Sequence, residues 1–266
     1  MKRLSYKYQK VNFIKSILRV SYIEYRALIN NKHLIYTQLL VPTLYFLFYS
    51  TGISSTFGMI SYANKEISFL QFSFIGIIGL TVYSQMAQSV YRIILDRKWG
   101  LLAFKYFKGV TPLAYIIGKM SFPLFNFLIQ ISVVYLISVL MGDYFTASQF
   151  LVIALFSIII MIFWFSVGTV ISLKISSYKV RDLILNTLLL PISFTAPIFF
   201  SFDRAPIFIR YVSYINPLTY QLNALRDISF HIPNYFNVGI VVLMTMLMGG
   251  IAIYSVQNAE LTTNER

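Results

Sequence analysis

The chain has 266 residues, of which 58% are hydrophobic and 12% charged, with a formal net charge of +13 and no cysteine. A water-soluble fold of this size lacks the interior to hide so much apolar surface, so the composition describes an integral membrane protein. Without cysteine there is no disulfide framework, thiolate zinc site or thiol nucleophile.

The N-terminal segment is basic and lacks the apolar core and small-residue cleavage site of a signal peptide, so it is expected to stay on the mature protein. Residues 11–30, VNFIKSILRVSYIEYRALIN, are too charged to cross a membrane. At about 100° per residue, Asn12, Lys15, Arg19, Arg26 and Asn30 gather on one face, opposite Ile14, Ile17, Leu18, Tyr25 and Leu28. The pattern predicts an interfacial helix along the inner leaflet, its cations toward phosphates and water. Glu24 falls on the apolar side. It is expected to reach water at the edge of that face, the alternative being an ion pair with a cation of the next cytoplasmic helix.

Six apolar runs follow, at about 33–51, 67–90, 113–140, 147–173, 180–200 and 236–256. Each is near the roughly 20 residues that an α-helix needs to cross about 30 Å of hydrocarbon. None alternates as a barrel strand would. The expected class is therefore an all-α integral membrane protein with three parts: a cytoplasmic N-terminus with its interfacial helix (1–32), a six-span domain (33–256) and a cytoplasmic tail (257–266). Basic residues in short loops favour the cytoplasmic side. With both ends inside, only Lys65, Arg204, Arg210 and Arg226 of the 22 Lys and Arg fall outside. The cations are divided among membrane-edge loops and form no single patch with stacking aromatics, which argues against nucleic acid.

Polar residues recur at helical spacing inside the runs: Thr81, Gln85 and Gln88 in the second, Asn126 and Gln130 in the third, Asp182, Asn186 and Ser193 in the fifth. Thr81, Gln85, Gln88, Asn126, Gln130, Asn186 and Ser193 are candidate lining of a transport path. Hydrogen bonding between helices, worth about 0.6–2 kcal/mol per contact, would place them inward equally well. The 20 Tyr and 24 Phe are numerous enough to supply aromatic belts at both membrane surfaces.

The segment after the second run reads LDRKWGLLAFKYFKGVTPLAYIIGK, residues 95–119. As a helix from Arg97 it sets Arg97, Lys98, Lys105 and Lys108 against Trp99, Leu102, Ala103, Tyr106 and Phe107. Gly109 and Thr111-Pro112 stop it before the third run. Such a helix is either a membrane-edge loop or a docking surface for a cytoplasmic partner. Further on, Pro197, Pro206, Pro217 and Pro233 cut residues 201–235 into pieces too short to span. Within NPLTYQLNALRD, residues 216–227, Asn216 suits a helix cap and Pro217 the first helical position. Leu218, Leu222 and Leu225 form an apolar stripe for burial. Arg226 and Asp227 are expected near the headgroups as a depth anchor, with a gate contact as the alternative.

Two of these segments together resemble ABC-2 type transporter permeases. DRKWGLLAFKYFKGVTPLAYIIGK is similar to the family's cytoplasmic box, which runs Asp/Glu-Arg-x-x-Gly, then x-Pro, then Gly-Lys; Lys98 and Leu101 stand where many members carry an acidic residue and a Thr. APIFFSFDRAPIFIRYVSYINPLTYQLNALRD, residues 196–227, resembles the segment before the last span. The resemblance implies a coupling helix that meets an ATPase through Asp96, Arg97, Trp99, Gly100, Lys105, Tyr106 and Lys108. It also implies short outer re-entrant helices marked by Asn216, Pro217, Leu222, Arg226 and Asp227.

A phosphate-cradling loop needs Gly-x-x-x-x-Gly-Lys-Ser/Thr after a strand. Gly118-Lys119 is followed by Met120 and leads into an apolar run. The chain is thus expected to bind no cofactor itself, ATP and Mg being held by a separate ATPase. An intramembrane enzyme is the rival class, but His33 and His231 fall on opposite sides and no Asp-x-Asp pair occurs. The resemblance implies the permease subunit of an ATP-driven exporter in a bacterial cell membrane. It would work as a dimer with a second copy or a paralogue, beside two ATPase copies and membrane lipids. Hydrophobic or amphipathic cargo (drug, antibiotic, peptide or lipid) is expected, with a lipid-linked polysaccharide or teichoic-acid-like glycan as the alternative.

Overall fold

The structure, a computed structural model, describes residues 12–175, 177–202 and 205–259. Lys2, Arg3, Lys7, Lys10, Arg204 and Arg266 of the charge argument, and most of the expected C-terminal tail, lie outside the described residues. Helix α1 (Phe13–Asn30) begins at Asn12, whose side chain accepts the Ile14 N–H at 3.1 Å. Its buried stripe is Ser16, Val20, Glu24 and Leu28, one residue per turn, and it packs on α6 (Pro112–Leu140). Gly118 permits that approach, because a Cβ there would stand 2.5 Å from Val20 Cβ.

The first apolar run is helical from Lys32 to Phe57 but is not one regular helix. It comprises α2 (Lys32–Leu44), a π-helical stretch (Tyr45–Ser50) and α3 (Thr51–Phe57). Pro42 lies inside α2 and brings no N–H to the helical ladder, and the wider turns begin three residues later. A short hairpin, β1 (Met59–Tyr62) and β2 (Lys65–Ser68), then pairs Ile60 with Ile67. Ala63 and Asn64 turn it with φ of 47° and 62°, as a two-residue hairpin loop of the mirror-image type demands. The all-α expectation did not include it.

Beyond the hairpin come α4 (Phe69–Lys98), α5 (Leu101–Phe107), α6, α7 (Ala147–Lys174), α8 (Tyr178–Thr195), α9 (Ile207–Ile215), α10 (Pro217–Ser229) and α11 (Tyr235–Gln257). Among the described residues four helices, α4, α6, α7 and α11, are long and apolar enough to cross a membrane. The expected fifth span does not join them as a single apolar helix: α8 carries Lys179, Arg181 and Asp182 in its first two turns, contains Pro191 and ends before Pro197. Helix α4 is the axis of the bundle. Of its apolar window 78% is buried, against 17% for α11, and α6, α7 and α10 all pack on it. The main core joins Ile78, Val82 and Met86 of α4 to Phe127, Trp164 and Leu222. A smaller cluster of Val20, Leu102, Tyr106, Tyr115 and Val256 closes the end where α4 finishes.

Candidate functional site

Five charged side chains meet where α4 ends. Glu24 accepts from Arg92 Nε at 2.8 Å and from Arg92 Nη2 through one oxygen, and from Lys119 Nζ at 2.8 Å through the other. Asp96 accepts from Lys105 Nζ at 2.5 Å, Tyr115 OH at 2.9 Å and Lys119 Nζ at 3.0 Å. Lys119 therefore bridges the two carboxylates, and the network ties α1, α4, α5 and α6 together. Glu24, only 1% exposed, does not reach water. It pairs with cations as the alternative reading had it, but these come from the ends of α4 and α6, because the stripe that carries Glu24 packs on α6. Burial holds Lys105 below the usual lysine range, with Lys119 adding to the effect and Asp96 opposing it.

The amphipathic reading of this segment needs a correction of register. Helix α4 continues through Lys98, Gly100 turns the chain with φ of 66°, and α5 starts only at Leu101. The sides are consequently rearranged. Leu102, Lys105 and Tyr106 face inward, whereas Trp99, Leu101, Phe104, Phe107 and Lys108 are exposed. Of the residues expected to meet an ATPase, Asp96, Arg97, Lys105 and Tyr106 are buried within this chain. Arg97 donates to Ser172 O at 2.8 Å and Ile175 O at 3.1 Å, at the C-terminus of α7 where a cation is favoured. Tyr106 OH donates to Val256 O at 3.3 Å on α11. Trp99 and Lys108 are exposed and Gly100 half-buried.

A cavity of about 670 Å³ lies between the first helical run, α4 and the chain leaving α8. Gln38, Pro42, Tyr45 and Tyr49 form one wall, Ile77, Thr81, Tyr83 and Ser84 another, and Ser193, Phe194, Ile198 and Phe199 the third. None of the described residues that line it is charged. Behind the wall a chain of amides crosses three helices: Gln85 Nε2 donates to Gln130 Oε1 at 3.3 Å, and Asn126 Nδ2 donates to Gln85 Oε1 at 3.4 Å and to Gln38 Oε1. Of the expected path residues, Thr81 and Ser193 line the cavity, and Gln85, Asn126 and Gln130 form the amide chain. Gln88 is half-buried and Asn186 exposed, and neither borders the cavity. Gln38 and Tyr83 were missed. An amide in the first apolar run was an available signal for Gln38; Tyr83 is one ring among 20 tyrosines.

At the opposite end of α4, Asn216 caps α10 by accepting the Leu218 N–H at 2.9 Å, and Pro217 takes the first helical position. Leu218, Leu222 and Leu225 are all fully buried, Leu222 against Gly79 of α4. Arg226 and Asp227 do not face water, because α10 packs on α4, α7 and α11 and buries both side chains. The Arg226 guanidinium sits 3.5 Å from the Phe72 ring centre and donates to Ile198 O at 3.0 Å and Phe72 O at 3.4 Å. Burial pushes it down to about 9, with Tyr62 and Asp227 opposing. Asp227 turns away to accept from Tyr62 OH at 2.9 Å, Asn234 Nδ2 at 3.1 Å and Asn237 Nδ2 at 2.9 Å. Burial raises its carboxyl above the ordinary value against those three donors.

The sequence is similar to known proteins. The profile of the ABC-2 type transporter family matches residues 16–230, from the first turn of α1 to the end of α10. A protein of Cyanophora paradoxa named as a candidate transport permease, ycf38, is 24% identical over 177 residues, or 64% of this chain. The chain spans 59% of that relative's length. Both the segment that holds α5 and the Asn216-Pro217 helix start fall inside the matched region, and the chain belongs to the ABC-2 type transporter family.

Proposed function

We propose that this chain is the membrane-spanning permease subunit of an ATP-driven exporter that moves a hydrophobic or amphipathic substrate out of the cell. Six crossings result when the interrupted run 32–57 and α8 each count as one, with both termini cytoplasmic. Two copies of a separate ATPase would drive a permease pair. The observation that carries the reading is α5. Lys105 and Tyr106 fasten it from beneath to Asp96 and Val256, while Trp99, Phe104 and Phe107 are presented outward, 71%, 57% and 67% exposed. A short helix fixed in this way would transmit force from a docked partner to α4, α6 and α11. A cavity between the spanning helices with no charged residue among its described lining supports the cargo class over a lipid-linked glycan, whose diphosphate would meet no cation among those residues.

Co-purification with the ATPase encoded beside the chain tests the proposal. Trp99→Ala and Phe104→Ala are each expected to weaken association, or substrate-stimulated ATP hydrolysis, by about 2 kcal/mol while the membrane fold stays intact. Undiminished association and stimulation in both variants would make α5 a plain membrane-edge helix and sink the coupling role.

A further inference from the structure

Two residues that line the cavity each carry a buried polar atom with no hydrogen-bond partner: Gln38 Nε2 and Tyr83 OH. The Asn126 contact leaves the Gln38 NH₂ group as a donor, and the Tyr83 hydroxyl, with nothing bound to it, can donate as well as accept. Asn126 occupies the Gln38 oxygen, so the amide chain from Gln130 through Gln85 and Asn126 ends at the Gln38 NH₂ group. Tyr83 is 2% exposed, and its ring meets the edge of Trp164 at 4.6 Å. Trp164 is fixed in turn by its Nε1 bond to Gln221 Oε1 at 2.7 Å. An unmade hydrogen bond at a buried donor costs about 1–3 kcal/mol. Further along the same helical run as Gln38, Tyr49 and Tyr45 lie 4.5 and 6.2 Å from the Phe199 ring, an aromatic surface suited to an apolar body. A carboxylate or phosphate could also accept from the two donors, but it would be buried with no counter-charge among the described lining residues.

We infer that the cavity binds an uncharged amphipathic molecule whose carbonyl oxygen, of an ester, lactone, amide or ketone, accepts from both Gln38 Nε2 and Tyr83 OH while its apolar part lies against Tyr45, Tyr49 and Phe199. The inference rests on the permease reading and adds the recognised group to it.

The test uses the full chain in nanodiscs with Trp99→Phe, which leaves Trp164 as the single indole of the two in the sequence. The probe is prodan, an uncharged naphthyl ketone that takes up energy from tryptophan. Dimethylaminonaphthalene without the carbonyl, and the matching naphthalene sulfonate, are its controls. Prodan should show saturable transfer from Trp164 over empty nanodiscs, weakened about fivefold by Tyr83→Phe and about fivefold by Gln38→Leu. The ring without a carbonyl should bind more weakly and ignore both substitutions. The sulfonate should bind at least about tenfold more weakly than the ketone. Unchanged prodan affinity in Tyr83→Phe and Gln38→Leu, or a sulfonate as tight as the ketone, would overturn the inference. Should Gln38→Leu disturb the fold by stranding Asn126, Tyr83→Phe alone decides, since its hydroxyl holds nothing in the protein. Binding is read here without ATP or a partner subunit. A failed ATPase association therefore leaves this result standing, and a failed binding test leaves the exporter reading standing.

Discussion

The two ends of α4 handle buried charge in opposite ways. Asp96 and Phe72, which mark them, are separated by about 36 Å of helix at 1.5 Å per residue. At the Asp96 end two carboxylates and three cations answer one another, and each ion pair joins a different pair of helices. At the Phe72 end a single guanidinium is held by two carbonyls and a ring, while the carboxylate next to it in sequence is held by three neutral donors. Adjacent residues on a helix point about 100° apart and do not face each other, so Arg226 and Asp227 are neighbours without being partners. Adjacency in sequence says little about pairing in a helical protein; spacing and the packing partner decide it.

The sharpest test of this contrast is all or none. The chain has no native cysteine, so Lys65→Cys at one end should react with an impermeant thiol reagent in intact cells, while Lys108→Cys at the other should react only after lysis. Lys108 is the better probe than Lys105, whose side chain is buried against Asp96. Labelling of both before lysis would place the two ends on one side of the membrane.

Removing Glu24 should be the costliest change in the ion network. Glu24→Ala strands Arg92 and Lys119 without that carboxylate and is expected to lower stability by about 3–5 kcal/mol, read as thermal unfolding of the purified protein. A loss under about 1 kcal/mol would mean that water reaches the network and that the two ends are more alike than they look. Asp227→Ala should cost less, about 2 kcal/mol, because the three donors it leaves behind are neutral. Arg226→Met should be the mildest, within about 1 kcal/mol, since a long apolar side chain keeps the packing on Phe72 and Asp227 keeps its three neutral donors. If it matched Glu24→Ala, the lone guanidinium would be holding that end together, and the contrast would reverse.

Local features were readable in advance and distant ones were not. Asn216, Pro217 and the leucines at 218, 222 and 225 sit within a few turns of one helix, so cap and stripe follow from spacing alone. Glu24 finds Arg92 68 residues later and Lys119 95 residues later, and nothing in the local pattern of α1 signals either. The α5 sides came out rotated because α4 runs on through Lys98 and the left-handed Gly100 restarts the count. The strands of the hairpin are only four residues each, too short to register beside apolar runs of span length. Thr81 and Ser193 are separated in sequence by two spanning-length segments, and only the fold shows that they border one cavity.

Asparagine, aspartate and serine rank close together as helix caps, so at the start of α10 alone they look interchangeable. Asn216 has a second employment. While Oδ1 holds the Leu218 N–H, Nδ2 donates to Ile192 O at 2.7 Å and Thr195 Oγ1 at 3.0 Å in the last turn of α8. Aspartate offers only acceptors and would set a carboxylate against the Ile192 carbonyl; serine has one short hydroxyl for two jobs. The amide works as a rivet through two plates, gripping α10 with its oxygen and α8 with its nitrogen. Capping rules drawn from single helices therefore stop applying at residue 216, where only a side chain with both kinds of atom keeps the two helices in register.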